Sequence, residues 1–408
     1  MTMAFNVSKP KEQEVLPFVE GHDHAGATVL VSHGFQPDYE AGFANGLARN
    51  GVGVTLIASD QTLYERLDPK IEVLNLRGSQ DPGRSAWRKA VNLLWYWIRL
   101  LILVANRRPV LHLTGLFSFS NFSTAWSDRT WEWECRCLRL LSNRLILTVH
   151  NVIPHDHDTA EVRRYLMAVY RVPHVLIVHT EKSRQRLIDE FNVDPEKICV
   201  MDHGLEEMVY PRAEDVAKTR TDLGYKLDQR MVLFLGWVKR YKGVDLLLEA
   251  ACQLDDDIRV LIAGNCIDVN YQQEIVQDIE RWSLGKRVTW EFGYLSESRV
   301  SQLLGAADVL VMPYRQIDQS GVLFAALRHG LPVVAFDVGN LVEYLPNGVG
   351  KTVPSGDIKA LAAALNDVRS VRFSRNHIHT LAERFRWQET VKCILHVYRG
   401  GLPNEEMV

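Results

Sequence analysis

Neither sign of charge is in excess in this sequence, which has 47 Lys and Arg residues against 50 Asp and Glu residues and a net charge of −3. Binding to the phosphate backbone of a nucleic acid depends on excess positive charge, so nucleic acid is not an expected partner. Cysteine is scarce too, with six residues and no C-x-x-C pair. A zinc ribbon and a dense disulfide framework are therefore excluded, and a cytoplasmic location is favoured.

A long apolar run is also missing from the start of the chain. Residues 1–26 include Lys9, Lys11 and Glu12 and lack the apolar core of a secretory signal, so we predict a loose leader. No fixed-period repeat is present, which excludes solenoids and propellers. With 408 residues of average apolar content, the chain is predicted to fold as two domains.

Short apolar runs alternate with longer periodic stretches from residue 27 onwards, as is typical of parallel sheets covered by helices. The first half contains predicted strands at 28–32, 53–58, 71–74, 110–113, 144–150 and 174–178. A polar stretch at 210–230 separates them from predicted strands at 231–236, 259–264, 288–292, 309–313 and 333–336. The sequence thus predicts the α/β class, with Rossmann-like domains at 27–208 and 209–384.

Residues 84–108 form a basic stretch with six Lys and Arg residues, no acidic residue, and Trp87, Trp95 and Trp97 among leucines. Arg99 interrupts its apolar run, so the stretch cannot supply the roughly 20 apolar residues of a membrane span. Two interpretations stay open. The stretch is either a helix that covers a sheet, or an interfacial helix whose basic residues meet anionic lipid.

Several familiar motifs are present only in incomplete form. Asn347–Thr352 ends like a phosphate-binding P-loop, but Leu345 occupies the position of its first glycine. The D-x-D pattern at Asp156–Asp158 and Asp255–Asp257 resembles patterns that hold a divalent cation, but solvated loops are expected at both places. The histidine pairs at 22 and 24 and at 155 and 157 lack an assignable third ligand, so no metal site is predicted.

A basic loop follows an apolar strand in the second half. The strand ends at Gly236, Lys239, Arg240 and Lys242 follow, and a helical pattern then begins. Ligands of open α/β sheets bind at the carboxyl ends of strands, where cationic side chains can donate hydrogen bonds to phosphates. The loop is therefore a predicted diphosphate site, and an ordinary exposed basic loop is the alternative.

A second loop has the features of a helix N-terminus. Ser320 is predicted to cap a helix that begins near Gly321 and ends near Gly330. The free N–H groups at such an end bind anions. The two loops together predict a cradle for the diphosphate of a donor, with binding positions at Gly236, Gly264, Asp318, Ser320, Gly321 and Val322.

The motifs taken together resemble those of family 4 glycosyltransferases. They are G-x5-K-G-V-D-x-L-L-x-A from Gly236, S-G-V-L with G-L-P-V-V from Ser320, Val149-His150-Asn151, His179–Ser183 with Met201–Gly204, and Phe385-Arg386-Trp387. The resemblance runs from about residue 28 to about 400. It implies the GT-B fold, in which the parallel sheets of two Rossmann-like domains face an interdomain cleft. It also implies an N-terminal acceptor domain, a C-terminal domain for the nucleotide-sugar donor, catalysis without a metal, and a helix at 385–408 that crosses back to the first domain.

The resemblance also assigns roles to the predicted catalytic residues. Lys242 matches the family lysine on the donor phosphates, and His150 matches a histidine close to the donor sugar. The family's usual arginine after the glycine is Trp237 here, so Lys239 is expected to replace it.

Three further donor-binding positions follow from the same resemblance. Gly34 matches a glycine that lets phosphate approach the first strand-to-helix loop. Tyr294 and Leu295, with Gly293, match a loop whose backbone contacts the base.

One family signature is missing. The E-x7-E pattern, counted back from Gly330, falls on Ile317 and Ala325, although Asp318 lies one place from the first position. In the family these carboxylates contact the donor sugar and the ribose, so neither the sugar nor the ribose contact is predicted. The sequence does not predict the nucleotide base either.

Together these features predict a retaining glycosyltransferase that moves a sugar from a nucleoside-diphosphate donor to an acceptor hydroxyl and needs no separate cofactor. Because the basic stretch lies in the acceptor domain, the predicted acceptor is a lipid-linked saccharide of polysaccharide or glycolipid biosynthesis, at the cytoplasmic face of an anionic membrane. The alternatives are a degenerate GT-B subunit that binds a nucleotide or glycan, a soluble small-molecule glycosyltransferase, and a nucleotide-sugar epimerase whose carboxylates cannot be placed.

Overall fold

The computed structural model describes residues 28–32, 37–81, 83–115, 127–153, 158–205, 211–226, 228–317, 320–339, 341–345, 348–367 and 374–401. The predicted leader, Gly34, Asp318 and the residues 154–157 lie outside this part of the chain.

Within the described residues, the first sheet has seven strands, all parallel, in the order β3-β2-β1-β4-β5-β6-β7. These are β1 Thr28–Val31, β2 Val54–Ile57, β3 Glu72–Leu74, β4 Val110–Leu113, β5 Arg144–Thr148, β6 Val175–Val178 and β7 Ile198–Val200. The central strands are buried on both faces, which explains why they read as continuous apolar runs.

The second sheet has six described parallel strands in the order β10-β9-β8-β11-β12-β13. These are β8 Arg230–Leu235, β9 Ile258–Gly264, β10 Val288–Phe292, β11 Val309–Met312, β12 Val333–Phe336 and β13 Gly350–Val353. The predicted α/β class with two parallel sheets is confirmed.

The edge strands β7 and β13 were not predicted from the sequence. β7 is only three residues long, and Val353 is the only buried residue of β13. Lys351, at the end of the apparent P-loop, lies within β13 and contacts Asp367 at 3.4 Å. A P-loop lysine instead sits at the start of a helix, so the motif is a chance match.

Helices connect the strands and cover both faces of each sheet. They are α1 Pro37–Arg49, α2 Ala86–Arg107, α3 Ser127–Leu141, α4 Ala160–Arg171, α5 Glu181–Phe191, α6 Ala213–Asp222, α7 Val244–Ala251, α8 Val269–Arg281, α9 Glu297–Ala306, α10 Gly321–Arg328, α11 Leu341–Tyr344, α12 Ile358–Asp367, α13 Arg375–Ala382, α14 Trp387–Thr390 and α15 Leu395–Tyr398. In the described part of the chain, none of them combines the length and apolar character needed to cross a bilayer.

The basic stretch of residues 84–108 forms α2, which has two apolar faces. One face buries Tyr96, Leu100 and Val104 against the first sheet. The other face exposes apolar side chains to solvent, namely Trp87, Val91, Leu94, Trp95, Ile98 and Ile102. Trp97 packs against the core instead, so it is not available to the surface that was expected to include it.

The last helices pack on the first sheet's side of the molecule. Trp387, at the start of α14, sits against α1 in a recess left by Gly42, Gly46 and Gly204. A Cβ added to Gly42 or Gly204 would overlap the indole ring, so the recess depends on the missing side chains. The domain boundaries near residues 208 and 385 stay predictions.

Candidate active site

Glycines line the carboxyl ends of three neighbouring strands in the second sheet. Gly236 and Gly264 follow or end β8 and β9, and Gly293 follows β10, with φ angles of 112°, 140° and 134°. A Cβ on Gly264 would overlap the carbonyl oxygen of Gly236. The backbone is therefore bare at this edge, and a ligand can approach it closely.

Lys242 lies beside this bare edge, at the end of the short 3₁₀ turn Arg240–Lys242. Its side chain is buried, with the ammonium nitrogen 5.0 Å from the centre of the Tyr314 ring. A Cβ built on Gly236 would lie 3.2 Å from that nitrogen. Burial lowers the pKa of Lys242, against an opposing effect of Tyr241. Among the described residues, no carboxylate forms an ion pair with it, so its charge is available to an anion.

The other two cations of the loop have different surroundings. Lys239 is exposed, with its ammonium nitrogen 6.0 Å from the centre of the Trp237 ring. Arg240 forms an ion pair with Glu274 at 2.7 Å and lies over the ring of Tyr271. Lys239 can therefore turn towards a ligand, whereas Arg240 is held on the protein.

The N-terminus of α10 adjoins the same strand end. A methyl carbon of Val322 lies 3.2 Å from a Cβ built on Gly236, and the space above Gly321 is open. Ser320 precedes the helix, but its hydroxyl does not cap it, so that expectation is wrong. Burial raises the pKa of Tyr314, and the nearby Ser320 hydroxyl opposes the rise.

The structure thus brings Gly236, Gly264, Lys242 and the start of α10 together, as the cradle requires. Tyr294 and Leu295 follow β10, two strands away from β8 at the edge of the sheet. Tyr294 is 89% exposed, whereas Leu295 packs against the core. Their predicted contact with a base stays a prediction.

His150 belongs to a group of rings in mutual contact at the carboxyl ends of β5, β6 and β7. Its Nε2 lies 2.7 Å from the carbonyl oxygen of Thr114, and its ring centre is 4.7 Å from Tyr39 and 5.2 Å from His179. His203 stacks in turn on Phe324 of α10, with ring centres 5.1 Å apart. The residues that follow the first sheet therefore contact α10 of the second domain directly.

His179 and His203 were identified only as parts of a family motif, and the structure shows what they do. Burial, followed by the nearby His150, lowers the pKa of His203 to about 3 and also lowers the pKa of His179 well below its ordinary value. Both rings are therefore neutral at physiological pH. The His203 ring packs against Phe324 of the second half, whereas the His179 ring packs within the first half.

The two positions of the missing E-x7-E carboxylates lie just before α10 and within it. Ile317 is buried in the core of the second domain, and Ala325 is partly buried in α10, which contains no acidic residue.

The candidate metal motifs do not form a metal site in the described chain, where no group of three or more possible ligands occurs. Asp158 pairs with Arg163 at 2.5 Å, and Asp257 and Asp256 pair with Arg230 and Arg287. His155, Asp156 and His157 lie outside the described residues.

Comparison with protein-family models matches the two halves separately. A model described as Glycosyltransferase Family 4 matches residues 41–207, and one described as Glycosyl transferases group 1 matches residues 229–370.

Curated relatives are similar to this chain in sequence, and a solved structure is similar to it in fold. A D-inositol 3-phosphate glycosyltransferase of Corynebacterium glutamicum is 26% identical over 64% of this chain and 66% of its own length. The enzyme of that name from Mycolicibacterium smegmatis is 32% identical over 56% of this chain and 53% of its own length. The matched regions thus span about half to two thirds of these relatives. The crystal structure of Anabaena HepE in complex with UDP and glucose superposes with a TM-score of 0.70, covering 92% of this chain and 100% of HepE at 18% identity.

Proposed function

Because the chain belongs to family 4 of the glycosyltransferases, we propose that it transfers a sugar from a nucleoside-diphosphate donor to an acceptor hydroxyl group, with retention of anomeric configuration. The observation that carries the proposal is the position of Lys242, a buried ammonium group beside the bare backbone of Gly236 and the open N-terminus of α10. A diphosphate is the ligand whose charge this combination best complements.

The proposed chemistry is stabilisation of the leaving group. When the bond between the sugar and the diphosphate breaks, negative charge grows on the departing phosphate oxygen. The fixed charge of Lys242 and the N–H groups at Gly321 and Val322 oppose that charge without having to reorganise. Lys239 adds a positive charge once its exposed side chain has turned towards the donor. The released phosphate oxygen is then the base that accepts the proton of the acceptor hydroxyl.

We propose that His150 lies against the transferred sugar and that the reaction needs no divalent cation, since lysines and backbone dipoles supply the positive charge. Activity that survives EDTA supports this part of the proposal. Strict dependence on Mg²⁺ or Mn²⁺ contradicts it and points to Asp156 and Asp158.

The direct experiment is a thermal-shift screen of the purified protein against UDP, GDP, UDP-glucose, UDP-N-acetylglucosamine and GDP-mannose, followed by assays of donor hydrolysis. A ligand that binds only the folded state raises its stability by RT ln(1 + [L]/Kd), about 2.7 kcal/mol at 100 times Kd. UDP and UDP-glucose are the first choices because HepE binds UDP and glucose. No shift with any of these compounds would overturn the proposal.

For the acceptor, we propose a saccharide carried on a lipid at the cytoplasmic face of a membrane. The support is the exposed apolar face of α2, which includes Trp87 and Trp95 and on which Trp87 lies next to Arg88. A groove of about 510 Å³ on this face is bounded by Arg84, Trp87, Arg88, Val91, Asn92, Trp95 and Arg99. Arg107 does not contribute, because it pairs with Glu72 at 2.7 Å. Tryptophan and arginine on one helix face suit the interface of an anionic bilayer.

The names of the curated relatives suggest a different acceptor, a soluble inositol phosphate. The two acceptors are separated by assaying transfer to inositol 3-phosphate and to a lipid extract under the same conditions. A second candidate function, a subunit that binds donor without turnover, is favoured by the apolar residues Ile317 and Ala325 at the carboxylate positions. Donor binding without hydrolysis or transfer would identify it.

A further inference from the structure

Arg315, three residues after β11, connects the two loops of the proposed diphosphate site. Its guanidinium donates two hydrogen bonds to the carboxylate of Asp245, at 2.9 and 2.5 Å. It donates a third, at 2.7 Å, to the backbone carbonyl of Arg240. The planar fork of arginine suits such a set of acceptors, and its donors are thereby directed at the protein.

The backbone around Arg315 holds the same turn from the other side. The N–H of Arg315 donates to the carbonyl of Tyr241 at 2.7 Å. The carbonyl of Pro313 lies so close to Gly243 that a Cβ there would overlap it. The ring of Tyr314, between these two anchors, lies next to the ammonium group of Lys242. Residues on both sides of Lys242 are therefore fixed by one segment.

Asp245 is itself held in place. The hydroxyl of Tyr271 donates to its carboxylate at 3.0 Å. Burial alone would raise the pKa of Asp245, but the hydrogen bonds and charge of Arg315 outweigh burial and hold the pKa below its usual value. The carboxylate is therefore charged whenever Lys242 is expected to act, and the clamp is intact across the physiological pH range.

We propose that Arg315 is a positioning residue, which fixes the ammonium group of Lys242 relative to the N-terminus of α10 without touching the donor. This rests on the proposed function, because the two fixed elements are the proposed phosphate ligands. Arg315 contacts the Lys242 turn and lies between β11 and α10 in the chain. Its loss releases both elements from each other while leaving each of them in the chain.

The expected cost falls on the transition state. A displaced Lys242 still attracts the diphosphate of the ground state, but it no longer aligns with the charge that grows on the leaving oxygen. A displacement of about 1 Å can cost about 100-fold in rate. We therefore expect kcat to fall about 10- to 100-fold in Arg315→Gln while KM for the donor changes less than about threefold.

The test is a double-mutant cycle between Arg315 and Lys242. It measures hydrolysis of whichever nucleotide sugar of the thermal-shift panel the wild type cleaves. Because Arg315 acts through Lys242, Arg315→Gln should cause little further loss of kcat in a Lys242→Ala background. Arg315→Lys should lower kcat as much as Arg315→Gln does, since an ammonium group keeps the charge but cannot bond to Asp245 and the Arg240 carbonyl together. Asp245→Asn is the second variant and should show the same dependence on Lys242.

A matched control is present in the same domain. Arg230 also binds one aspartate twice, Asp257 at 3.1 and 3.2 Å, and one backbone carbonyl, that of Asn366 at 3.0 Å. It lies at the opposite, amino end of β8. Arg230→Gln should lower the melting temperature as Arg315→Gln does, but should leave kcat unchanged.

The outcomes separate the two ideas. Wild-type kcat in Lys242→Ala would overturn the phosphate site and this inference with it. If Lys242→Ala lowers kcat strongly and adding Arg315→Gln lowers it strongly again, the positioning role alone is overturned. Wild-type activity in Arg315→Lys would overturn it too and would show that Arg315 acts as a charge on the donor.

Discussion

Arg66 and Glu297 form an ion pair that joins the two domains across the cleft. Arg66 lies in the short 3₁₀ turn Tyr64–Arg66 of the first domain and also binds Asp38 at 2.6 Å. Glu297 begins α9, directly after the loop that contains Tyr294 and Leu295. The pair therefore ties the first helix of one domain to a predicted donor-binding loop of the other.

The first prediction is that this pair favours the closed cleft. Glu297→Lys should place two positive charges together and open the molecule, which small-angle scattering would record as a larger radius of gyration. The pair is exposed, so the expected effect on global stability is below about 1 kcal/mol, and the opening should weaken at high salt. Glu274→Lys, which breaks the Arg240 pair within one domain, is the control. An equal change in both variants would argue against a link between the domains.

The second prediction concerns the phosphate ligands. Lys242→Ala should lower kcat/KM by about 100-fold or more, because a preorganised charge on the leaving group is lost. Lys239→Ala should act in the same direction with a smaller effect, since its side chain is exposed and mobile. Lys351→Ala, on the edge strand β13, serves as the control and should keep wild-type kinetics. Near-wild-type turnover in Lys242→Ala would remove Lys242 from the site.

The third prediction concerns membrane binding by α2. The protein should cosediment with vesicles that contain anionic phosphatidylglycerol at low salt, and less at high salt. Each exposed Arg near an anionic surface contributes about 1 kcal/mol, so Arg84→Glu with Arg88→Glu should release most of the protein. Trp87→Ser with Trp95→Ser should weaken binding at both salt concentrations. If the wild-type protein stays in the supernatant at low salt, the prediction is wrong and α2 only covers the first sheet.

The fourth prediction concerns the Trp387 recess. Gly42→Ala should destabilise the protein by about 1–3 kcal/mol, because its methyl group would meet the indole nitrogen of Trp387. Gly53→Ala is the matched control, since a Cβ there meets no atom within 4 Å, and its effect should stay within about 0.5 kcal/mol. The free energy of unfolding of both variants is measured by denaturant titration. Equal values would mean that the contact between Gly42 and Trp387 does not fix the last helices.

The fifth prediction is a pH dependence of stability at Glu134 of α3. This side chain is buried, one of its oxygens has no hydrogen-bond partner among the described residues, and burial raises its pKa to about 8. Between about pH 4.5 and 8 the folded state keeps a proton that the unfolded state releases, so stability falls as the pH rises.

Glu134→Gln should remove this dependence. The variant should be more stable than the wild type by about 1–3 kcal/mol at pH 8, since each pKa unit corresponds to about 1.4 kcal/mol and local relaxation absorbs part of the shift. At pH 4.5 the two proteins should unfold at the same denaturant concentration. A constant difference across this range would show that Glu134 does not titrate on unfolding.

The sequence was sufficient for the central strands, because burial on both faces makes them continuous apolar runs. It missed β7, which is only three residues long, and β13, in which Val353 alone is buried. It located Lys242 and the start of α10 through local motifs. Arg315 and Glu297 carry no motif, and their partners Asp245 and Arg66 are distant in sequence, so only the folded chain reveals them. Ser320 was placed correctly at the start of α10, but its hydroxyl makes no capping hydrogen bond there.

The recess for Trp387 has a consequence for synthesis. The first sheet and α1 leave the ribosome early, but the surface formed by Gly42, Gly46 and Gly204 is covered only when Trp387 has been made. The entire second sheet is translated in between. Because domains tend to fold in the order of their synthesis, the first domain folds while this apolar surface is still exposed, and the surface stays exposed until Trp387 has been synthesised. Chaperone dependence of the newborn chain should therefore end only when translation has passed its final helices.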